Sequence, residues 1–342
     1  MEATPLTVAV TGPTGEIGMP FVRALERVPE VGRILAMARR SFDPASYGWA
    51  KTEYRQGDIL DRKAVDALVA EADVVVHLAF IVLKATADTY DINIEGSRNV
   101  FDATAQRQIK RLVYTSSVAA YGYHDDVQGL LREEMAPRGT ERHAYSHQKA
   151  EVERVLWDSL SGSETAAYVF RPCVVAGPEA PALLEQIPYT QLGRKLPSAL
   201  RDAMGKVPGL RPVLPDHGVP FQLVHHDDVA SALIAAALGT GPSGIYNLAG
   251  EGTISATDLA GEMGWHAVPI PRLAVDAGAM AAARIPALEV AAGWLEALRV
   301  PMLMDTEKAR TQLGWEPAYD AAGTLADLAE ARRSRGQANP AD

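Results

Sequence analysis

Leu6-Thr7-Val8-Ala9-Val10-Thr11-Gly12-Pro13-Thr14-Gly15-Glu16-Ile17-Gly18 is the stretch on which the reading of this sequence turns. Leu6 to Val10 is a continuous run, β-branched at three of its five positions. It predicts a strand buried on both faces. A helical pattern runs from about Ile17 to Val28, with Pro20 in its first turn, where a missing N–H is harmless. Between them lies a glycine-rich turn of spacing GxxGxxG. Gly12 allows the tight turn, Gly15 lets the backbone approach a pyrophosphate, and Gly18 lets the helix pack close to the sheet. The helix start then offers oriented N–H groups to an anion, so Thr14, Glu16 and Ile17 join the glycines as candidate cofactor contacts. A P-loop is excluded, since no Gly-Lys-Ser/Thr follows.

The same alternation continues outward from this turn. Strands are expected at Arg33 to Ala38, Asp73 to Ala79, Arg111 to Thr115 and Thr165 to Arg171, with helices at Asp61 to Glu71, Asp91 to Thr104 and Ala144 to Leu160. Strands alternating with helices predict an α/β fold, a Rossmann-type doubly wound parallel sheet. After Arg171 the pattern loosens. Pro178 to Pro220 reads as loops and short helices of a smaller C-terminal substrate-binding lobe. Gln222 to Val224 and Ile245 to Ala249 read as short strands, and Met280 to Leu298 as an alanine-rich helical stretch that Pro286 breaks or kinks. The expected organisation is a dinucleotide-binding domain over 1–175, rejoined by 222–250. The lobe covers 176–221 and 251–330, and a frayed polar tail covers 331–342.

Bulk properties exclude some classes. The 342 residues carry 33 basic and 43 acidic side chains, a net charge of -10. No basic stripe is available for phosphates, so no nucleic-acid partner is expected. Cys173 is the single cysteine, which rules out an internal disulfide and a multi-cysteine metal site. No secretory signal precedes the first strand, and apolar stretches such as Val229 to Leu238 are too short to cross a bilayer. A cytoplasmic protein with no membrane partner is expected.

The end of the second strand bears on the cofactor. NAD specificity usually needs an acidic residue there for the ribose hydroxyls. Here Ala38 is followed by Arg39 and Arg40, and a guanidinium would pair with a 2′-phosphate. NADP(H) is therefore preferred over NAD(H). Asp58 and Ile59 are placed to meet the adenine. Leu78, Ala79 and Phe80 would run beneath the pyrophosphate and nicotinamide ribose.

Tyr145-Ser146-His147-Gln148-Lys149 is a YxxxK element on an expected helix, so both side chains share one face. A free tyrosine ionises near pH ~10 and is a poor base at neutrality. A nearby ammonium favours the phenolate, and the pair can then move a proton to or from an oxygen while hydride moves at the nicotinamide. One helix earlier a strand ends Thr115-Ser116-Ser117. A serine hydroxyl at that edge can hydrogen-bond the reacting oxygen.

These residues resemble the extended short-chain dehydrogenase/reductase family, the NAD(P)-dependent epimerase/dehydratase type. The likeness continues through VVHLA (Val75 to Ala79), NIEGSRN (Asn93 to Asn99) and LVYTSSVAAYG (Leu112 to Gly122). It goes on in family order through RPCVVAGP (Arg171 to Pro178), VHHDDVA (Val224 to Ala230), YNLAG (Tyr246 to Gly250) and LGWEP (Leu313 to Pro317). The resemblance implies that Ser117 rather than Ser116 is the catalytic hydroxyl, Tyr145 the general acid/base, and Lys149 the holder of the nicotinamide ribose. It places Asn99 near that ribose and the phosphates, makes Asn93 structural, and lines the nicotinamide pocket with Pro172, Cys173, Val174 and Val175. It also allows a homodimer through the YxxxK helix and its predecessor.

Departures from the family narrow the chemistry. Ser117 is followed by Val118 and Ala119, not by the acidic pair of the dehydratases, so dehydration is rejected. Sugar-nucleotide epimerases carry an asparagine and a tyrosine where this chain has Val174 and Ala176. An NADP(H)-dependent carbonyl reductase or secondary-alcohol dehydrogenase acting on a small or apolar substrate is therefore expected. The alternatives are an NAD-dependent sugar or sugar-nucleotide epimerase and a non-catalytic dinucleotide sensor. His77 reads as a satisfied core histidine. Tyr121 reads equally as pocket or core. His225-His226-Asp227-Asp228 reads as a strand-to-helix junction, with Asp227 or Asp228 capping the helix; no metal is expected.

Overall fold

The structure, a computed structural model, describes residues 4–82, 87–126, 129–185, 212–216, 218–271 and 300–337. In chain order, the first half runs β1 Leu6–Thr11, α1 Gly18–Leu25, β2 Val31–Ala38, β3 Thr52–Gln56, α2 Arg62–Val69, β4 Val74–His77, α3 Ala87–Gln106, β5 Arg111–Thr115, α4 Ala144–Ser159 and β6 Ala166–Pro172. The second half runs β7 Val174–Ala176, α5 Ala182–Glu185, β8 Val213–Asp216, β9 Leu223–His225, α6 His226–Leu238, β10 Gly244–Leu248, α7 Ala256–Met263, β11 His266–Pro269, α8 Glu307–Leu313 and α9 Ala321–Gln337.

Seven parallel strands form the main sheet in the order β10-β6-β5-β4-β1-β2-β3. This is the Rossmann-type doubly wound arrangement expected. The strand order reverses between β1 and β4, and ligands in such sheets bind at the carboxyl edge of that switch point. Val8, Ala9 and Val10 are fully buried, as are Val74, Val75 and Val76. Helices cover both faces, which is why these strands read as apolar runs rather than alternating ones. One core cluster joins Ala9, Leu35, Val75, Leu112 and Val169 of the sheet to Leu68 of α2, Phe101 of α3 and Leu156 of α4.

The chain divides into two compact units. The first holds 1–173, 227–248 and 304–316; the second holds 174–226, 249–303 and 317–342. The LGWEP element thus largely returns to the sheet unit. Its Trp315 indole donates to the Asp228 carbonyl at 2.9 Å. The second unit contains two small parallel pairs, β7 with β9 and β8 with β11. Its core groups Leu223, Ile254, Leu259 and Trp265 with Leu325 and Leu328.

Three local expectations need correcting or placing. The expected frayed tail is helical over 331–337, since α9 continues to Gln337; 338–342 lie outside the described residues. Its arginines are tied down within the second unit. The Arg332 guanidinium lies 4.9 Å from the Trp265 ring centre, Arg333 donates to the Glu262 carbonyl at 3.3 Å, and Arg335 donates to the Pro178 carbonyl. Asp227 and Asp228 sit inside the first turn of α6 rather than at its cap. There they complement the helix dipole, and Asp227 also pairs with Arg23 at 2.9 Å. The helical expectation for Met280 to Leu298, and most of Pro178 to Pro220, lie outside the described residues.

Candidate functional site

The glycine turn joins β1 to α1 at the switch point. Gly12 has φ +75°, and a Cβ there would stand 2.6 Å from the Ala79 nitrogen. A Cβ on Gly18 would stand 2.2 Å from the Gly12 oxygen. Both glycines are therefore required by the protein's own packing. Gly15 differs: it is exposed, and a Cβ there would meet only the Gly12 oxygen, at 3.5 Å. No side chain caps the start of α1 at Ile17. The turn thus combines an open backbone surface at Thr14 and Gly15 with a helix start free of side-chain caps. That combination fits the pyrophosphate of a dinucleotide.

Around this turn, Arg39 and Arg40 follow β2 and are exposed. Among the described residues neither guanidinium forms an ion pair. Their backbone is fixed instead: Gln56 donates to the Arg39 carbonyl at 2.9 Å, and Tyr54 donates to the carbonyls of Ala38 and Arg40. Asp58 accepts from the Leu60 N–H at 3.0 Å, and Ile59 is buried against α3, where Gly96 makes room for it. Asn99 of α3 donates to the Ile59 carbonyl at 3.0 Å, so it holds this loop.

Just past β4, Asn93 grips the backbone of Ile81 with both ends of its amide, at 2.8 and 3.0 Å, and also donates to Gln148 at 2.7 Å. That structural role is the one expected of it. Leu78, Ala79 and Phe80 are half-buried between these anchors.

The two serines after β5 are separated by geometry. Ser116 donates to the Glu153 carboxylate at 2.5 Å. Ser117 turns the other way, where its oxygen accepts from the Ala119 N–H at 3.2 Å and its hydroxyl favours the ionised form of Tyr145. Tyr145 is positioned by α4, whose start is capped by the His143 imidazole accepting from the Ser146 N–H at 3.2 Å. Burial pushes His143 down to about 4, which keeps that ring neutral for the task. Burial also raises the Tyr145 phenol above its ordinary value, and the neighbouring Ser117 hydroxyl opposes that rise.

Lys149 follows one turn later and is buried. Its ammonium donates to the Thr115 carbonyl at 2.9 Å and lies 3.8 Å from the Phe80 ring centre. It stands 6.0 Å from the Tyr145 ring centre. Phe80 also meets Tyr145 edge-on, with ring centres 5.6 Å apart. Burial lowers Lys149 to about 7, against an opposing pull from Glu153.

Several side chains not singled out in the sequence surround this group. Glu153 and Arg171 form a fully buried pair at 2.6 Å. The Arg171 guanidinium lies 4.4 Å from the Tyr121 ring centre, and Tyr121 donates to Asn247 at 2.7 Å, so Tyr121 belongs to the core. The signal for Glu153 was available as the continuation of the face carrying Tyr145 and Lys149. His77 is fully buried, its two ring nitrogens facing Thr11 at 2.6 Å and Ser97 at 2.9 Å. Burial, reinforced by Lys149, lowers it to about 3, as a neutral core histidine requires. Pro172 ends β6 and Cys173 follows it, both buried, whereas Val174 and Val175 lie on β7 of the second unit. His225 faces Asp327 at 3.0 Å and stacks on Tyr319, and His226 accepts from the Glu179 N–H at 3.2 Å.

Residues 8–249 match the family described as the NAD dependent epimerase/dehydratase family. The chain belongs to that family. The match spans the glycine turn, the serine edge and YxxxK, and the fold is that of the extended short-chain dehydrogenase/reductases. Two curated relatives match part of the chain. One is N-acetyl-alpha-D-glucosaminyl-diphospho-ditrans,octacis-undecaprenol 4-epimerase of Escherichia coli, 33% identical over 126 residues, or 35% of this chain and 37% of that protein. The other is human 3 beta-hydroxysteroid dehydrogenase type 7, 32% identical over 173 residues, or 46% of each. The chain thus matches less than half the length of either. Among solved structures, UDP-glucuronic acid 4-epimerase from Bacillus cereus in complex with NAD superposes with a TM-score of 0.71, covering 97% of this chain and all of that one at 16% identity.

Proposed function

We propose that this chain is a nicotinamide-dinucleotide-dependent oxidoreductase that interconverts a secondary alcohol and a ketone, and that it does so as an epimerase of a sugar or sugar nucleotide. The observation that carries the chemistry is the placement of Ser117 just past the carboxyl edge of β5 and of Tyr145 and Lys149 one turn apart on α4, with Lys149 donating to the Thr115 carbonyl at 2.9 Å and Phe80 meeting both. The epimerase reading rests on the relatives: a 4-epimerase at 33% identity, and a 4-epimerase solved with NAD among those sharing the fold. It is preferred to the simple carbonyl reductase expected from the substrate-lobe residues.

The Gly12–Gly18 turn and the start of α1 would hold the pyrophosphate, Asp58 and Ile59 the adenine, and Lys149 the nicotinamide side; Asn99, expected near the nicotinamide ribose, instead donates to the Ile59 carbonyl and would steady the adenine loop. Arg39 and Arg40, exposed and without ion-pair partners among the described residues, favour the 2′-phosphorylated form of the cofactor. When bound, the cofactor supplies the acceptor and donor of hydride. The protein supplies the proton path. Tyr145 would act from its phenolate, favoured by the Lys149 ammonium: it would take the hydroxyl proton as the carbinol carbon is oxidised and return it on reduction, while Ser117 would hydrogen-bond the same oxygen. In an epimerase the ketone is reduced again from its other face.

Tyr145→Phe tests this. Turnover should fall by ~10²–10⁴-fold, the range for loss of a general acid/base, with NADP⁺ and NAD⁺ binding retained. Equal turnover by both proteins would end the reading. A second reading has its own support. Val174 and Ala176 replace the polar residues of sugar-nucleotide epimerases, and the steroid dehydrogenase relative shares 32% identity over its match. Net oxidation of an apolar secondary alcohol would then appear as accumulating reduced cofactor, whereas epimerisation leaves cofactor absorbance unchanged overall.

A further inference from the structure

The YxxxK helix carries a third polar residue on the same face. Tyr145, Lys149 and Glu153 succeed one another at four-residue intervals on α4, which places them in one row. Glu153 is fully buried and over-determined. Its carboxylate accepts from Arg171 Nε at 2.9 Å and Nη2 at 2.6 Å, and from Ser116 Oγ at 2.5 Å. A carboxylate so held cannot swing away, so its field on Lys149 is fixed.

We propose that Glu153, clamped by Arg171 and Ser116, is the positioning residue that keeps Lys149 an ammonium beside Tyr145; this rests on the reading that Lys149 works with Tyr145. The remaining surroundings of Lys149 carry no formal negative charge, although a carbonyl and an aromatic face among them also favour the ammonium. From β5 come the Thr115 carbonyl at 2.9 Å and the Tyr114 hydroxyl at 3.4 Å, with burial keeping Tyr114 un-ionised. From β4 comes neutral His77, and just beyond it the Phe80 ring. From α4 comes Tyr145, un-ionised in this state. Arg171 on β6 is paired with Glu153 at 2.6 Å, so its positive charge partly offsets the carboxylate. Glu153 is thus the one anion acting on Lys149 among the described residues, and it opposes the burial that brings Lys149 down to about 7. The position of that balance sets the pH at which the lysine lets go of its proton, and with it the pH range of proton transfer at Tyr145.

The test reads the lysine directly. Protein labelled with ¹³C at lysine Cε is titrated by NMR, with Lys149→Met assigning the signal. Glu153→Gln should lower the Lys149 midpoint by about one pH unit or more. Glu153→Asp, which keeps the anion, should restore it most of the way. Because Glu153→Gln strands a buried guanidinium, the double variant E153M/R171M is measured alongside; replacing a buried pair by apolar residues of similar size is often neutral for folding. It too should titrate below the native protein. An unchanged midpoint in either folded variant lacking the carboxylate would overturn the proposal. Failure of the functional reading shows separately, as turnover indifferent to Tyr145→Phe.

Discussion

Ser116 and Ser117 are adjacent in sequence, yet the structure gives them different surroundings: a buried carboxylate for the first, and for the second the Ala119 N–H, with its hydroxyl favouring the ionised form of Tyr145. The residue types of the site could be read from TSS and YxxxK. Glu153 continues the YxxxK face and so left a trace, but its pairing with Arg171 did not, because Arg171 reaches it only when β6 lies beside β5. Lys149 shows the consequence. Burial brings its pKa to about 7, so the unfolded chain takes up the proton first as pH falls from the ordinary lysine value. The penalty is fully present below about pH 7 and fades as pH rises toward 10.5. Lys149→Met should therefore be most favourable to stability, relative to the native protein, below about pH 7. That relative gain should shrink toward pH 10.5 by at most about 1.4 kcal/mol per pH unit. Denaturant unfolding of both proteins across this range checks it, and a difference independent of pH would contradict it.

At the scale of elements, the β-α alternation was legible because buried parallel strands read as apolar runs and the glycine turn marks their first junction. Strand ends shifted by a residue or two, and the sheet order followed the doubly wound pattern. The short pair β8 and β11 was not legible. Four residues each, with Pro215 and Pro269 among them and largely exposed or half-buried positions, give no apolar period. The end of α9 was misread because its arginines look like a solvated tail, although they bind Trp265, Glu262 and Pro178. Within the glycine turn the positions divide by what needs them. Gly18→Ala forces backbone apart at 2.2 Å and should cost about 1–3 kcal/mol, as overpacking does. Gly15→Ala meets only an ordinary contact at 3.5 Å and should stay within about 0.5 kcal/mol of native stability while weakening dinucleotide binding. Denaturant midpoints and cofactor titrations on the two variants separate the roles; a Gly15→Ala protein that binds as the native does would remove Gly15 from the site.

Across the whole molecule, the sheet unit is assembled from three chain segments, 1–173, 227–248 and 304–316. Long-range returns of this kind leave little local trace. The family motifs show where the chain comes back, and Trp315 bonding to the Asp228 carbonyl shows what the last return does. All the candidate groups for dinucleotide and proton transfer except Val174 and Val175 belong to this unit, so the central claim is a property of that unit's ligand. The measurement that tests it most directly is calorimetric titration of the full chain, freed of co-purified nucleotide, with NADP⁺ and NAD⁺ side by side. Saturable binding, tighter for NADP⁺ and shifted toward NAD⁺ by replacing Arg39 and Arg40, is the predicted result. Absence of binding by either dinucleotide would contradict the account.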